Sequence, residues 1–168
     1  MVNAMIHKSA WLGVMCAAIV FMTAKAFAVE RMFEDWELTC PSDGRICTIA
    51  TTSFAEDRTW LATLRLQPNG VEGANLPLQI LVPPQVHLAS GLFVSVNGVG
   101  QRQAAYQVCS PRACDARLTL SEDDLLAWKR ARSAQIRFRP NPASPPIEFE
   151  VSLMGLTAAI DAVDEVAK

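Results

Sequence analysis

Short runs of alternating apolar and polar residues recur along the chain from residue 33 onward, separated by turn-forming clusters. In Thr59–Gln67, Trp60, Ala62, Leu64 and Leu66 fall on one face of an extended segment and Thr59, Leu61, Thr63 and Arg65 on the other. In Ile147–Leu153, Ile147, Phe149, Val151 and Leu153 face one way and Glu148, Glu150 and Ser152 the other. A period of two over this length signals a half-buried antiparallel strand. The same pattern covers Phe33–Cys40, Arg45–Ser53, Leu76–Val82, Gly91–Asn97, Ala104–Cys109, Cys114–Leu120 and Ala134–Arg139. Pro68-Asn69-Gly70, Pro83-Pro84, Asn97-Gly98 and the Pro140–Pro146 stretch stand between the runs as breakers. About nine short strands with regular turn signals predict a mainly β domain, an antiparallel β-sandwich.

Two segments depart from this period. Ser121 precedes Glu122-Asp123-Asp124, an N-cap with an acid three positions on, and Lys129, Arg130 and Arg132 load the far end. Both charge placements suit a helix dipole, and Leu125, Leu126 and Trp128 supply an apolar stripe. A second short helix is expected between Leu156 and Val166, with Ala158, Ala159 and Ile160 toward the sheet and Asp161, Asp164 and Glu165 in solvent.

The first 28 residues read as an address rather than a fold element. One lysine lies among the first eight residues, Ser9–Ala24 carries no charge, and Lys25 is followed by Ala26-Phe27-Ala28. A basic start, an apolar run and an A-x-A site make a cleavable signal peptide. The uncharged run is too short for the about 20 residues that span a bilayer, so no transmembrane segment is expected after cleavage. Cys16 follows Met15 in mid-run, which does not suit lipidation. Cleavage after Ala28 leaves residues 29–168 as one domain and removes Lys8 and Lys25, taking the net charge from −2 to −4. With 51% apolar and 19% charged residues the chain is not disordered, and its acidic balance excludes a nucleic-acid partner.

Cleavage also leaves four cysteines, Cys40, Cys47, Cys109 and Cys114. An even count in an exported chain reads as a disulfide framework, with three possible pairings. The local pairing, Cys40–Cys47 with Cys109–Cys114, would close each of two turn sequences, Pro41-Ser42-Asp43-Gly44 and Ser110-Pro111-Arg112-Ala113. Loops of this size are worth roughly 2 kcal/mol each in the chain-entropy picture. Neither pair is a C-x-x-C redox motif, and a Cys₄ zinc site does not suit an oxidising compartment.

The search for chemistry is mostly negative. His87 is the one histidine after residue 28, and Ser90 follows three residues later without a G-x-S-x-G elbow. The acids Glu34/Asp35 and Glu122/Asp123/Asp124 are explained by a strand start and a helix first turn. No phosphate loop, dinucleotide fingerprint or H-E-x-x-H motif is present. No catalytic residue, metal or cofactor is therefore expected. Arg130, Arg132, Arg137 and Arg139 form a candidate surface for an anionic partner, and Trp36, Trp60, Tyr106 and Trp128 are either core or the lining of a sugar groove.

The order of these features resembles one family. Phe33-x-x-Trp36-x-x-x-Cys40 with Cys47, then Leu88-Ala89-Ser90-Gly91-Leu92 after Pro83-Pro84, is similar to the invasion-associated locus B family of bacterial exported proteins. So are Cys109-x4-Cys114-Asp115-Ala116 ahead of the Leu125-Leu126 helix, and the closing Ser152-Leu153-Met154-Gly155-Leu156 with Ala158-Ala159. The resemblance implies a periplasmic, outer-membrane-associated or secreted β-sandwich and carries no catalytic residue. It points to a non-enzymatic protein that binds an envelope or host component: a protein, a lipid or a glycan. Two alternatives are a periplasmic chaperone or inhibitor acting through a sheet edge and a hydrolase using His87. For the leader, the expected outcome is an intact mass beginning at Val29 in protein exported from a native-like host, with no lipid on Cys16.

Overall fold

A computed structural model describes residues 29–42, 46–68 and 75–166. The leader and Cys16 lie outside the described residues. Ten strands and two helices follow in the order β1 (Val29–Phe33), β2 (Trp36–Cys40), β3 (Thr48–Phe54), β4 (Trp60–Leu66), β5 (Leu76–Val82), β6 (Leu92–Val96), β7 (Val99–Cys109), β8 (Cys114–Leu120), α1 (Glu122–Arg130), β9 (Ser133–Phe138), β10 (Ile147–Ser152) and α2 (Leu156–Val166). All neighbours are antiparallel, in the order β1-β2-β3-β4-β5-β8-β7-β6-β9-β10.

The sandwich is one sheet curled on itself, and β7 is the strand that makes the corner. Its first half pairs with β6, from Val99 opposite Val96 to Ala104 opposite Leu92. Its second half pairs with β8, from Ala105 opposite Arg117 to Cys109 opposite Cys114. Asn97 (φ 54) and Gly98 (φ 68) form the two-residue turn before it, the mirror-image geometry that Asn-Gly favours in hairpins. Register shifts on either side of the corner, between Val94 and Val96 and between Tyr106 and Val108, add the local twist of a β-bulge.

The curl brings the last strand over the third. Ser53 donates its hydroxyl to the Glu150 carbonyl at 3.2 Å, and the Trp36 indole N–H donates to the Ser152 carbonyl at 3.2 Å. Both carbonyls lie on the side of β10 away from β9, so side chains cover that edge of the sheet. The apolar faces enclosed this way form the core: Trp36, Leu38, Ile49, Leu64, Leu66, Leu78, Ile80, Leu92, Ile136 and Val151 are all fully buried. Helix α2 closes the open side over β1 and β2 with Leu156, Ala159, Ile160, Ala162 and Val163; Ala158, expected inward, is exposed.

Three departures from the expected nine-strand pattern have local causes. The run Phe33–Cys40 is broken by a tight turn at Glu34-Asp35, where Glu34 takes φ 50, and Phe33 is instead the end of β1, opposite Trp36. β7 begins at Val99, not Ala104, because Asn97-Gly98 is a hairpin turn and not merely a break. A bulge between Ser53 and Phe54 sets Trp60 opposite Phe54 and Ala62 opposite Ser53. Trp60 therefore leaves the face of Ala62 and Leu64, and its indole N–H donates to the outward Thr63 hydroxyl at 3.1 Å.

Gly155 joins β10 to α2 with φ 90, and an added Cβ there would sit 1.9 Å from the Phe33 carbonyl oxygen. The Asp35 N–H also donates to the Met154 carbonyl, at 3.3 Å, so the first hairpin is seated directly on this connection. Gly155→Ala combines left-handed strain with a backbone collision and is expected to cost about 3 kcal/mol or more. Gly98→Ala, with open space at the same sign of φ, should cost only about 1 kcal/mol. Urea unfolding of the two variants checks the contrast.

Candidate functional site

The mouth of the curl, where the β6–β7 hairpin meets β8 and α1, holds a cleft of ≈ 340 Å³. Its floor is apolar: Val94 and Val96 from β6, Leu118 and Leu120 from β8, and Trp128 from α1. Its rim is polar, with Ser95, Asn97, Arg102, Asp123 and Asp124 beside Gly100 and Ala127. Arg102 stands opposite Val94 in register, so it springs from the core-facing side of β7 and extends toward α1.

The rim is held by the helix start. Ser121 and Asp124 form a full capping box: the Ser121 hydroxyl accepts from the Asp124 N–H at 3.2 Å, and Asp124 Oδ2 accepts the Ser121 N–H at 2.9 Å. The same Oδ2 accepts the Ser121 hydroxyl at 2.8 Å and pairs with Arg102 Nη1. Arg102 Nη2 also reaches the Thr119 carbonyl at 3.5 Å. Burial pushes the Asp124 carboxyl upward, but the Ser121 hydrogen bonds and the Arg102 charge outweigh it and hold the group below its ordinary 3.8. One carboxylate thus ends the helix and ties β7 to it. Trp128 is buried beneath the cleft and Leu125 is half-buried, whereas Leu126, expected in the apolar stripe, is 45% exposed.

The sequence does not single out Arg102. The signal was the Asn97-Gly98 turn, which fixes the start of β7 and therefore the side on which Arg102 lies.

The other candidates are placed as follows. Cys40 is bonded to Cys47 and Cys109 to Cys114. The second bridge depends on the bulge in β7. Tyr106 stands opposite Ala116, so regular pairing would set Cys109 opposite Ala113; the extra residue Gln107 brings it opposite Cys114 and turns Val108 outward.

The four arginines lie as two pairs, one at each end of β9. Arg130 and Arg132 lie at the α1–β9 junction, beside Leu153, Met154 and Asp161. Arg137 and Arg139 lie at the opposite end of β9, where Arg137 pairs with Glu148 at 3.3 Å and Arg139 donates to the Ser144 carbonyl at 2.7 Å. About five residues of extended strand, some 16 Å, separate the two pairs.

His87 sits on a short 3-10 turn (Leu88–Ser90), with its N–H on the Arg139 carbonyl at 2.7 Å and Nδ1 2.7 Å from the Ser90 hydroxyl. This is a local contact three residues apart. Among the described residues no carboxylate bonds the ring, so the orienting acid of a catalytic triad is missing there. Glu34 and Asp35 form the β1–β2 turn, and Glu122, Asp123 and Asp124 open α1. Among the described residues no group of three or more His, Cys, Asp or Glu is placed to hold a metal.

Of the large aromatics, Trp36 and Trp128 are core. Tyr106 packs against the core with its hydroxyl buried and unpartnered, and that burial pushes its pKa up to about 12. No helix among the described residues is long and apolar enough to cross a membrane. Two disulfides mark a protein that folds outside the reducing cytosol.

Because Asp124 has a lowered pKa, its contribution to stability is present above the unfolded carboxyl value and is lost as pH falls through the folded one. Arg102→Ala is expected to cost about 0.5–1 kcal/mol at pH 7, since the pair is partly exposed. The difference from the unaltered protein should shrink as the pH is taken below 3.8, which urea unfolding at several pH values reads directly.

A solved structure shares this architecture. The crystal structure of invasion associated protein B from Bartonella henselae superposes with a TM-score of 0.71 at 14% identity, covering 82% of this chain and 97% of that one. An invasion protein B homolog of Brucella abortus (strain 2308) is 22% identical over 145 residues, 85% of this chain and 83% of that protein. A homolog from Brucella abortus biovar 1 (strain 9-941) matches to the same extent. The profile of the Invasion associated locus B (IalB) protein family matches residues 36–164, nearly all of the ten-stranded sheet and both helices, and the chain belongs to that family.

Proposed function

We propose that the chain is an exported, non-enzymatic binding protein of the bacterial envelope whose ligand seat is the cleft beneath α1. The observation that carries this reading is the cleft itself: an apolar floor of a size at which small-molecule pockets begin, with a polar rim fixed by the Ser121–Asp124–Arg102 network. The leader pattern read in the first 28 residues and the two disulfides support export to the periplasm or the outer membrane. The names of the Brucella and Bartonella relatives support a role at the host surface for the bound state.

Enzymatic and strand-adding roles are less well supported by the geometry. His87 and Ser90 lack an orienting acid among the described residues. The β10 edge already carries the Ser53 and Trp36 hydrogen bonds, so an added strand would have to use β1.

Ala127 is exposed on the cleft rim, so Ala127→Trp fills the cleft without touching the core. An apolar fluorescent probe such as anilinonaphthalene sulfonate is expected to bind the folded protein at one site, and Ala127→Trp to weaken it at least tenfold with an unchanged melting temperature. Unaltered binding in Ala127→Trp would sink the cleft as the seat. His87→Ala should leave folding and any envelope phenotype intact, and loss of that phenotype in a folded variant would revive the enzyme reading.

A further inference from the structure

The outer face of β4, β5 and β8 carries a feature that neither the family nor the cleft explains. Arg65 on β4, Gln79 on β5 and Arg117 on β8 lie directly opposite one another in register. They share one face, and the two arginines stand two strand spacings apart, about 9.5 Å between backbones. Between them is a depression of ≈ 280 Å³, completed by Gln67, Pro77 and Leu78.

The two guanidinium groups are prepared differently. Arg117 is clamped on one side by Asp115, a carboxylate only 8% exposed, through Nε at 3.3 Å and Nη2 at 2.9 Å. The Asp115 hydrogen bond and charge raise the Arg117 pKa, so the group is a permanent cation with a fixed orientation and Nη1 unspent. Asp115 also accepts from Gln79 Nε2 at 2.8 Å, leaving the Gln79 amide oxygen free to accept. Arg65 is exposed and has no hydrogen-bond or ion-pair partner among the described residues. Two arginines thus stand against one carboxylate, which is engaged by Arg117, and the slot keeps an unanswered positive charge on a chain whose net charge is −2.

We propose that this slot binds the carboxylate of an acidic sugar residue. Planar guanidinium forks match a planar carboxylate with two parallel hydrogen bonds. The Gln67 and Gln79 amides beside them suit ring hydroxyls. The volume lies just below the range of drug-sized pockets, which fits one sugar ring rather than an acyl chain. An anionic bilayer is a poorer partner, because the one exposed apolar side chain of the lining, Pro77, is too short to insert and the chain as a whole is acidic. The inference is independent of the cleft, since it uses other residues.

The test is a titration of the full exported chain with glucuronate, read from the Arg Nε–H signals in nitrogen-15 NMR. Arg65 has no structural partner, so Arg65→Ala removes the charge without unfolding the protein. Glucuronate is expected to shift the Arg65 and Arg117 signals saturably, glucose to bind at least tenfold more weakly, and Arg65→Ala to lose at least tenfold in affinity with an unchanged melting temperature. Ala127→Trp and Arg139→Ala should bind glucuronate like the unaltered protein, which separates the slot from the cleft and from the β9 arginines. No saturable shift, equal binding of glucose, or full binding by Arg65→Ala would each overturn the proposal. So would Arg65-dependent binding to phosphatidylglycerol vesicles in the absence of glucuronate binding.

Discussion

A long antiparallel sheet with one apolar face must hide that face, and here a single bend does so by folding the sheet onto itself. β7 pairs with β6 along its first half and with β8 along its second, so the inner faces of the two halves meet with no linker between them. Each half would otherwise leave Leu64, Ile80, Leu92 or Ile136 in water, a loss of about 1.5–3 kcal/mol per side chain. The bulges beside the bend, the Asn97-Gly98 turn and the seating of Gly155 on Phe33 all serve to keep that curl closed.

The cleft follows from the same geometry. Where the curl opens, the inward faces of β6 and β8 diverge and α1 is laid across the gap. A helix start needs acceptors for its free N–H groups, and Asp124 supplies one for the Ser121 N–H. Arg102 then takes the remaining charge of that carboxylate, so a local capping requirement becomes a tertiary tie between helix and sheet. The outer face has a parallel arrangement, with Asp115 orienting Arg117 and Gln79. In both places one carboxylate settles the orientation of a guanidinium at the edge of a recess.

Much of the architecture was legible in the sequence, because burial on one face writes itself as a period of two. The strands around Ile49, Leu64, Ile80 and Ile136 are plain for that reason, and Ser121 with Asp124 announces α1. The local disulfide pairing was readable from loop length. The bulges were not readable. An extra residue at Leu61 or Gln107 shifts which side chains share a face without changing the composition of the run, so alternation alone puts Trp60 on the face of Ala62 and Leu64 and gives no outward placement to Val108. Arg130 and Arg139 are close in sequence, but an extended strand sets them at opposite ends of β9. Arg65, Gln79 and Arg117 are distant in sequence and only the register joins them.

The coverage of β10 by Ser53 and Trp36 has a consequence for assembly. A sheet that keeps two open edges can add copies of itself at both, and such head-to-tail contacts grow into filaments. With the Glu150 and Ser152 carbonyls of β10 occupied from within the same molecule, β1 is the edge left to pair among the described residues. Edge-to-edge contact between copies is then limited to β1 against β1 about a two-fold axis, a closed arrangement that stops at two molecules however concentrated the protein becomes.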